Sequence, residues 1–146
     1  MKTNLNLRNL IAVASFFTIL SAGAQNQVSV NQLPVKAQKF VKAHFSSQKV
    51  AVAEKDSDFL NREYEVYLAD GTKIEFDGKG NWTSVDGKHK TIPVTMLPKT
   101  VITHLVQNHP ARSIVQAERK SWGYEVELAN GTEIEYNNSG QFLRID

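Results

Sequence analysis

The chain has 146 residues, with 17 lysines and arginines against 15 acidic residues, and it contains no cysteine. Without cysteine it forms neither disulfides nor thiolate metal sites, and it has no cysteine nucleophile. Lys2 and Arg8 lie in the first 24 residues, so the rest of the chain is electrically balanced, and we expect no nucleic-acid partner, which would need a basic patch.

Residues 1–24 have the features of a signal peptide for export. The basic residues are followed by the apolar run Leu10–Leu20 and then by the small residues Ala22-Gly23-Ala24. This run is shorter than the roughly 20 apolar residues that a membrane-spanning helix needs. We therefore predict cleavage after about Ala24, a periplasmic or secreted location, and no membrane insertion of the mature chain.

The rest of the chain contains one phrase twice. Residues 65–82 read EVYLADGTKIEFDGKGNW, and residues 125–142 read EVELANGTEIEYNNSGQF. Two earlier Leu-Pro pairs are offset by 64 residues and the phrases by 60, so the second copy lacks four residues that the first has near 57–61. Such self-similarity predicts tandem units: a first repeat over residues 25–90, including a linker, and a second repeat over residues 91–146.

Each repeat is predicted to begin with a helix and to continue as strands. Pro34 and Pro98 suit the first turn of a helix, and apolar residues follow both at helical spacing. We expect the first helix to end near Ser46 and the second before Pro110. The predicted strands are 49–54, 63–68, 72–77 and 81–85, then 113–118, 123–128, 132–137 and 141–145. Short connections favour antiparallel hairpins, so the predicted class is α+β, with a helix and a meander of about four strands in each of two tandem repeats.

The register of the central hairpin follows from its apolar residues. A two-residue loop at Asp70-Gly71 would place the apolar residues of the two strands on opposite faces. A three-residue loop, 69–71, instead pairs Val66 with Ile74 and Tyr64 with Phe76. This loop is a type I turn with Gly71 at the left-handed bulge position. The second repeat supports the same register, so the D-G-T and N-G-T segments are predicted to be turns and not catalytic loops.

The opposite face of each hairpin is polar. In the predicted register Glu127 faces Glu133 and Glu125 faces Glu135, an arrangement of like charges that destabilises strand pairing. Two interpretations remain open: a solvated face that keeps the protein soluble, or a surface for a basic partner or a divalent cation. The chain contains no calcium-binding loop motif, and strand carboxylates on a flat sheet do not wrap around an ion.

The last strand of each repeat is apolar on both faces. Trp82 alternates with Thr83 and Val85, and Phe142 alternates with Leu143. Either neighbouring segments cover the second apolar face, or it is an aromatic contact surface, since exposed apolar patches often mark interaction sites.

Residue patterns typical of catalysis or metal binding are absent from the sequence. The four histidines show no H-x-x-x-H spacing, and there is no G-x-S-x-G, S-x-x-K or Gly-rich phosphate loop. We therefore expect no catalytic residues, no metal site and no cofactor, and we expect the protein not to be an enzyme.

The ordered motif resembles that of the PepSY-like, β-lactamase-inhibitor-like family of small exported bacterial proteins. It consists of an L-P helix start and then Y-E-V-x-L-x-[DN]-G-T-x-I-E-[FY]-[DN]-x-x-G-x-[WF], twice, after a signal peptide. The resemblance covers essentially the whole mature chain. It implies that the two sheets join into one curved sheet with the helices on one face, and that the other face binds a partner, as the concave sheet of the β-lactamase inhibitor protein grips an enzyme.

The resulting hypothesis is an exported protein-binding module of the inhibitor type that uses its exposed sheet face. The alternative is a cell-envelope sensor or small-ligand-binding protein with a site between the repeats. We expect an as yet unidentified protein partner to contact outer residues of the hairpins and the aromatic residue of the first repeat's last strand. These residues are Tyr67, Lys73, Glu75, Trp82, Glu125, Glu127, Glu133 and Glu135.

Overall fold

A computed structural model describes residues 26–57 and 62–146. The predicted signal peptide and most of the segment near 57–61, where the second copy is shorter, lie outside these residues. These ranges contain two α-helices, α1 (Val35–His44) and α2 (Lys99–Asn108). The strands are β1 (Val50–Ser57), β2 (Arg62–Leu68), β3 (Lys73–Asp77), β4 (Trp82–Asp86), β5 (Ile114–Lys120), β6 (Gly123–Leu128), β7 (Glu133–Asn137) and β8 (Phe142–Ile145).

The eight strands form a single antiparallel sheet in which spatial order equals chain order, from β1 to β8. The chain leaves β4, forms α2 and returns as β5, which pairs directly with β4. This pairing joins the strands of the two repeats into one sheet.

The predicted hairpin register is confirmed. Val66 lies opposite Ile74 and Tyr64 opposite Phe76, and the corresponding residues pair in the same way between β6 and β7. The N–H of Gly71 donates to the carbonyl of Leu68 at 3.0 Å, as the type I turn requires. Gly71 has φ +92° and its counterpart Gly131 has φ +82°, so both occupy the left-handed region that favours glycine.

This register places the apolar side chains on one face, which we call the inner face. The inner-face residues Val66, Ile74, Val126 and Ile134 are fully buried. Both helices pack on this face: Phe40 of α1 contacts Phe76 edge-on at 5.6 Å between ring centroids, and His104 of α2 lies within hydrogen-bond distance of the Tyr136 hydroxyl, at 3.0 Å. The core of the molecule is therefore the layer between the helices and the inner face.

The observed boundaries lie close to the predicted ones. Both prolines immediately precede the first helical residue, and the helices end two residues before the positions expected from Ser46 and Pro110. The largest difference is β1, which continues to Ser57 and not to Glu54 because β2 pairs with it up to Arg62. No helix within the described ranges is long and apolar enough to cross a membrane.

The turn glycines provide a test of the register. A Cβ added at Gly71 or Gly131 would meet no atom within 4 Å, so a substitution there is opposed by backbone conformation alone. We expect Gly71→Val and Gly131→Val each to lower the free energy of unfolding by roughly 1–2 kcal/mol, because β-branched residues resist positive φ. Chemical denaturation monitored by circular dichroism measures the change.

The matched control is Gly71→Asn, since asparagine tolerates the left-handed region better than valine. It should retain most of the stability of the wild type. Valine variants with denaturation midpoints equal to the wild type would contradict the three-residue loop.

Candidate functional site

On the face of the sheet opposite the helices, which we call the outer face, two rows of mostly polar residues cross all eight strands. Strand pairing aligns one residue from each strand, because neighbouring antiparallel strands place directly opposite residues on the same face. From β1 to β8 the first row is Glu54, Glu65, Glu75, Ser84, Glu118, Glu125, Glu135 and Arg144. The second row is Val52, Tyr67, Lys73, Asp86, Gln116, Glu127, Glu133 and Asp146. Six of the eight residues in the first row are glutamates, so this row is predominantly acidic.

In the first repeat a single lysine neutralises part of the first row. The ammonium of Lys73 lies 2.9 Å from Glu65 and 2.6 Å from Glu75, bridging two carboxylates that face each other across the strands. Tyr67 donates its hydroxyl to Glu65 at 2.6 Å, and the Lys73 ammonium lies 5.8 Å from the centre of the Tyr67 ring. These four residues form one connected cluster.

The second repeat neutralises its acids less completely. Lys120 pairs with Glu118 and lies 3.8 Å from Glu125. Arg144 holds Glu135 through two hydrogen bonds of 2.7 and 2.8 Å, the bidentate geometry that makes such pairs strong.

Glu127 and Glu133 occupy the positions that Tyr67 and Lys73 have in the first repeat, and they face each other directly. Neither carboxylate forms an ion pair within 4 Å in the part of the chain that the structure describes. The structure thus leaves one opposed pair of carboxylates open to a group from outside.

The equivalent residues Glu65 and Glu125 have pKa values shifted in opposite directions, because the first repeat neutralises its acids more completely than the second. Burial alone would raise the pKa of Glu65, but the hydrogen bonds from Tyr67 and Lys73 and the charge of Lys73 outweigh it and hold that pKa below its ordinary value. Burial raises the pKa of Glu125, and Glu118, Glu133 and Glu135 raise it further against the opposing charge of Lys120. The first cluster therefore stabilises its anion, whereas the second repeat crowds its anions together.

Seven of the eight residues predicted to bind a partner lie together on the outer face. They are Tyr67, Lys73, Glu75, Glu125, Glu127, Glu133 and Glu135. The eighth, Trp82, lies on the inner face and is only 9% exposed. It stacks on Phe40 at 6.1 Å and contacts Tyr124 at 6.2 Å between ring centroids. The expectation that Trp82 contacts a partner is therefore wrong, because α1 and the second repeat cover its side chain.

Sequence reasoning missed Glu54, Glu118, Lys120 and Arg144. The alternation Gln116-x-Glu118-x-Lys120 was a signal for the face on which these residues lie. Their position in the rows, however, depends on the pairing of β1 with β2 and of β5 with β6, and the sequence-based register covered only the central hairpins.

A shallow open depression of about 410 Å³ lies on the outer face where the two repeats meet. Its walls come from β3, β4, β5 and the segment after β4, and they are lined by Lys73, Glu75, Thr83, Ser84, Asp86, Lys88, Gln116, Glu118 and Arg119. No set of three or more histidine and acidic side chains within residues 26–57 and 62–146 is arranged to hold a metal ion. The surface thus offers charged and hydrogen-bonding groups for a polar partner.

The sequence model of one protein family matches residues 21–61 and 62–144 of the chain. That family is described as "Putative beta-lactamase-inhibitor-like, PepSY-like". No curated protein matches the chain significantly.

Solved structures of Bacteroides proteins are similar to this chain. A protein of Bacteroides thetaiotaomicron, described as a "putative calcium-regulated periplasmic protein", has 41% identity and a TM-score of 0.78, covering 83% of this chain and 95% of its own. A "putative periplasmic protein" of Bacteroides vulgatus has 38% identity and a TM-score of 0.76, covering 82% and 94%. Another from that organism, of unknown function, has 37% identity and a TM-score of 0.74, covering 81% and 94%.

The two equivalent glutamates should respond to pH in opposite ways. The folded-state pKa of Glu65 is below its ordinary value of 4.5, so its anion adds stability above that pH, and the contribution is lost as the pH falls. The folded-state pKa of Glu125 is raised, so its anion opposes folding at neutral pH, and the penalty disappears as the pH falls through the raised pKa. We expect Glu65→Gln to destabilise and Glu125→Gln to stabilise the fold at pH 7, each by less than about 1 kcal/mol because the groups are partly exposed.

Urea denaturation of both variants and the wild type at pH 7 and at pH 3 measures these differences. Both should shrink at the lower pH. Equal effects of the same sign at pH 7 would contradict the assigned difference between the two clusters.

Proposed function

Because the chain belongs to the PepSY-like, β-lactamase-inhibitor-like family, we propose that it is an exported protein-binding module that holds a basic partner on its outer face. The observation that carries this proposal is the opposed pair Glu127 and Glu133, which has no cation of its own among the described residues. A binding role of the inhibitor type fits a broad, charged surface better than catalysis does.

The energetic argument concerns what this pair costs. Like charges directly opposite in a sheet destabilise the pairing by up to about 1 kcal/mol. The same scaffold accepts Tyr67 and Lys73 at the equivalent positions, where Lys73 bridges two carboxylates. If the second repeat needed only a soluble surface, tyrosine and lysine would serve at residues 127 and 133 as they do in the first repeat. The two glutamates, unpaired within the described residues, therefore favour a role in recognising a partner.

The distribution of charge supports the choice of a basic partner. Neither helix contains an acidic residue, and Lys36, Lys39 and Lys42 of α1 are exposed on the side of the molecule opposite the rows. The acidic groups therefore lie on the outer face, where they outnumber the cations Lys73, Lys120 and Arg144, and this excess of negative charge attracts a complementary basic surface and steers its approach.

We propose a periplasmic or secreted location, with a signal peptide cleaved after about Ala24. The basic, apolar and small-residue segments of residues 1–24 support it, as do the structural neighbours described as periplasmic. We also propose that residues 25–90 and 91–146 are equivalent helix-plus-meander units and that their joined sheet is curved.

A second candidate function is small-ligand binding or sensing at the depression between the repeats. The observation in its favour is the lining, in which Lys88 and Arg119 lie beside Asp86 and Glu118 at the β4–β5 junction. Groups of both signs would suit a zwitterionic or polar molecule. A thermal shift with a small molecule, in the absence of any stoichiometric protein partner, would favour this candidate over the first.

Transplanting first-repeat residues into the second repeat tests the principal proposal. Glu127→Tyr combined with Glu133→Lys should raise the free energy of unfolding by up to about 1 kcal/mol, because the like-charge pair is removed. The same double variant should bind the partner about tenfold more weakly, and the loss should shrink at high salt, where charge contacts are screened. Chemical denaturation measures the change in stability. Side-by-side capture from envelope extract, followed by calorimetry on the enriched partner at two salt concentrations, measures the loss of affinity and its salt dependence.

The matched control is the reciprocal variant, Tyr67→Glu with Lys73→Glu. It should lose stability, because Lys73 no longer bridges Glu65 and Glu75. It should not weaken the binding of a basic partner, because it adds acidic groups to the contact surface. Since one neighbour is described as calcium-regulated, the capture is run both with calcium and with a chelator. A stabilised double variant that binds the same partner with unchanged affinity would show that the acids are only a solvated face.

A further inference from the structure

The edge of β8, unpaired among the described residues, is equivalent to the edge of β4 that pairs with β5 within the chain. Ile145 of β8 corresponds to Val85 of β4, and Val85 lies opposite Ala117 of β5, the next strand in the sheet. No strand within the described ranges pairs with the far side of β8. The chain thus contains both an occupied and an unoccupied version of the same strand edge.

Exposure differs sharply between the two versions. Val85 is fully buried and Trp82 is 9% exposed, whereas Ile145 is 50% and Phe142 is 44% exposed. Leu143, the additional residue at the irregularity between β7 and β8, is 49% exposed. Three large apolar side chains of one four-residue strand are therefore in contact with water.

The irregularity in β8 is not enough to protect its edge. An irregularity in the strand often keeps an edge from pairing. However, β4 has its irregularity at the equivalent place, between the pairs Glu75–Ser84 and Phe76–Trp82, and it nevertheless pairs with β5. The irregularity in β8 therefore leaves its edge able to accept a strand.

The backbone of β8 offers a hydrogen-bonding pair at its outer side. Asp146 exchanges both of its backbone hydrogen bonds with Glu133, at 2.9 and 3.3 Å. Because alternate residues of an antiparallel strand point their N–H and C=O groups in opposite directions, the N–H and C=O of Ile145 point away from β7. They are available to another strand.

We infer that β8 pairs with β8 of a second copy of this chain, antiparallel and about a twofold axis beside Ile145. In that register Ile145 faces its own counterpart and exchanges two backbone hydrogen bonds with it. Arg144 then faces Asp146 of the second copy, so the polar outer-face pairs carry opposite charge. A register centred on Arg144 instead would set two arginines opposite each other.

A short segment of the chain occupies part of the opposite edge of the sheet, which disfavours a head-to-tail arrangement. Residues Asn26–Val28 lie along β1, where Val28 donates to the carbonyl of Ala53 and Lys55 donates to the carbonyl of Asn26, both at 2.8 Å. The edge of β1 is thus occupied around Glu54 by the chain itself. The free edge pairs with its own kind, and the assembly closes as a dimer.

A cysteine crosslink tests this inference, because the chain has no natural cysteine. Directly opposite residues of a hydrogen-bonded antiparallel pair have Cα atoms about 5.5 Å apart, which suits a disulfide. Under mild oxidation we expect Ile145→Cys to form linked dimers at least about tenfold faster than Val106→Cys, because pairing holds the two thiols at a high effective concentration. Val106 is 63% exposed on α2 and so provides a control of similar accessibility away from the edge.

Sedimentation velocity of the uncrosslinked wild type should show a concentration-dependent increase from the mass of one chain to that of two, and Ile145→Lys should abolish the increase. A wild type that stays monomeric at high concentration, together with equal crosslinking rates at residues 145 and 106, would overturn the inference. So would preferential crosslinking of Ile145→Cys to an Ala53→Cys variant in a mixture, since that result requires head-to-tail pairing.

Discussion

The alternation of side chains across the antiparallel sheet, fixed in register by the two glycine turns, is the constraint on which the rest of the structure depends. Gly71 and Gly131 allow three-residue loops. These loops place Val66 opposite Ile74 in the first repeat and Val126 opposite Ile134 in the second. A slip of one residue would turn these side chains to water and bring glutamates into the core. Burial of the inner face therefore decides where every carboxylate of the outer face lies.

One consequence is that the acidic groups are aligned by the backbone and not by contacts among themselves. The first row crosses all eight strands, and its position is determined by hydrophobic packing on the opposite face. Local cations at Lys73, Lys120 and Arg144 reduce the repulsion where they can reach. Glu127 and Glu133 remain as a pair whose backbone positions are fixed by strand pairing, and a backbone that does not reorganise lowers the entropic cost of binding a complementary surface.

The hairpins could be predicted from sequence because the register is a local property, determined by loop length and apolar spacing. The burial of the last strand in each repeat could not be predicted from the sequence. Trp82 and Phe142 occupy the same place in the repeat, yet one is 9% and the other 44% exposed. The difference arises because β5 follows β4 in the sheet, a contact between residues far apart in the chain. The rows were only partly foreseen for the same reason, since Glu118 joins them through long-range pairing.

Carboxylate footprinting tests the central claim, recognition through the acidic outer face, most directly. The protein is labelled with a carbodiimide and an amine, free and in complex with its captured partner, and modification is quantified at each acid by mass spectrometry. Recognition through the opposed pair predicts that Glu127 and Glu133 are protected in the complex, while Glu63, which lies on the outer face of the first repeat at the far end of β2, keeps more of its reactivity. Unchanged labelling of Glu127 and Glu133 in a complex that persists during the reaction would contradict it.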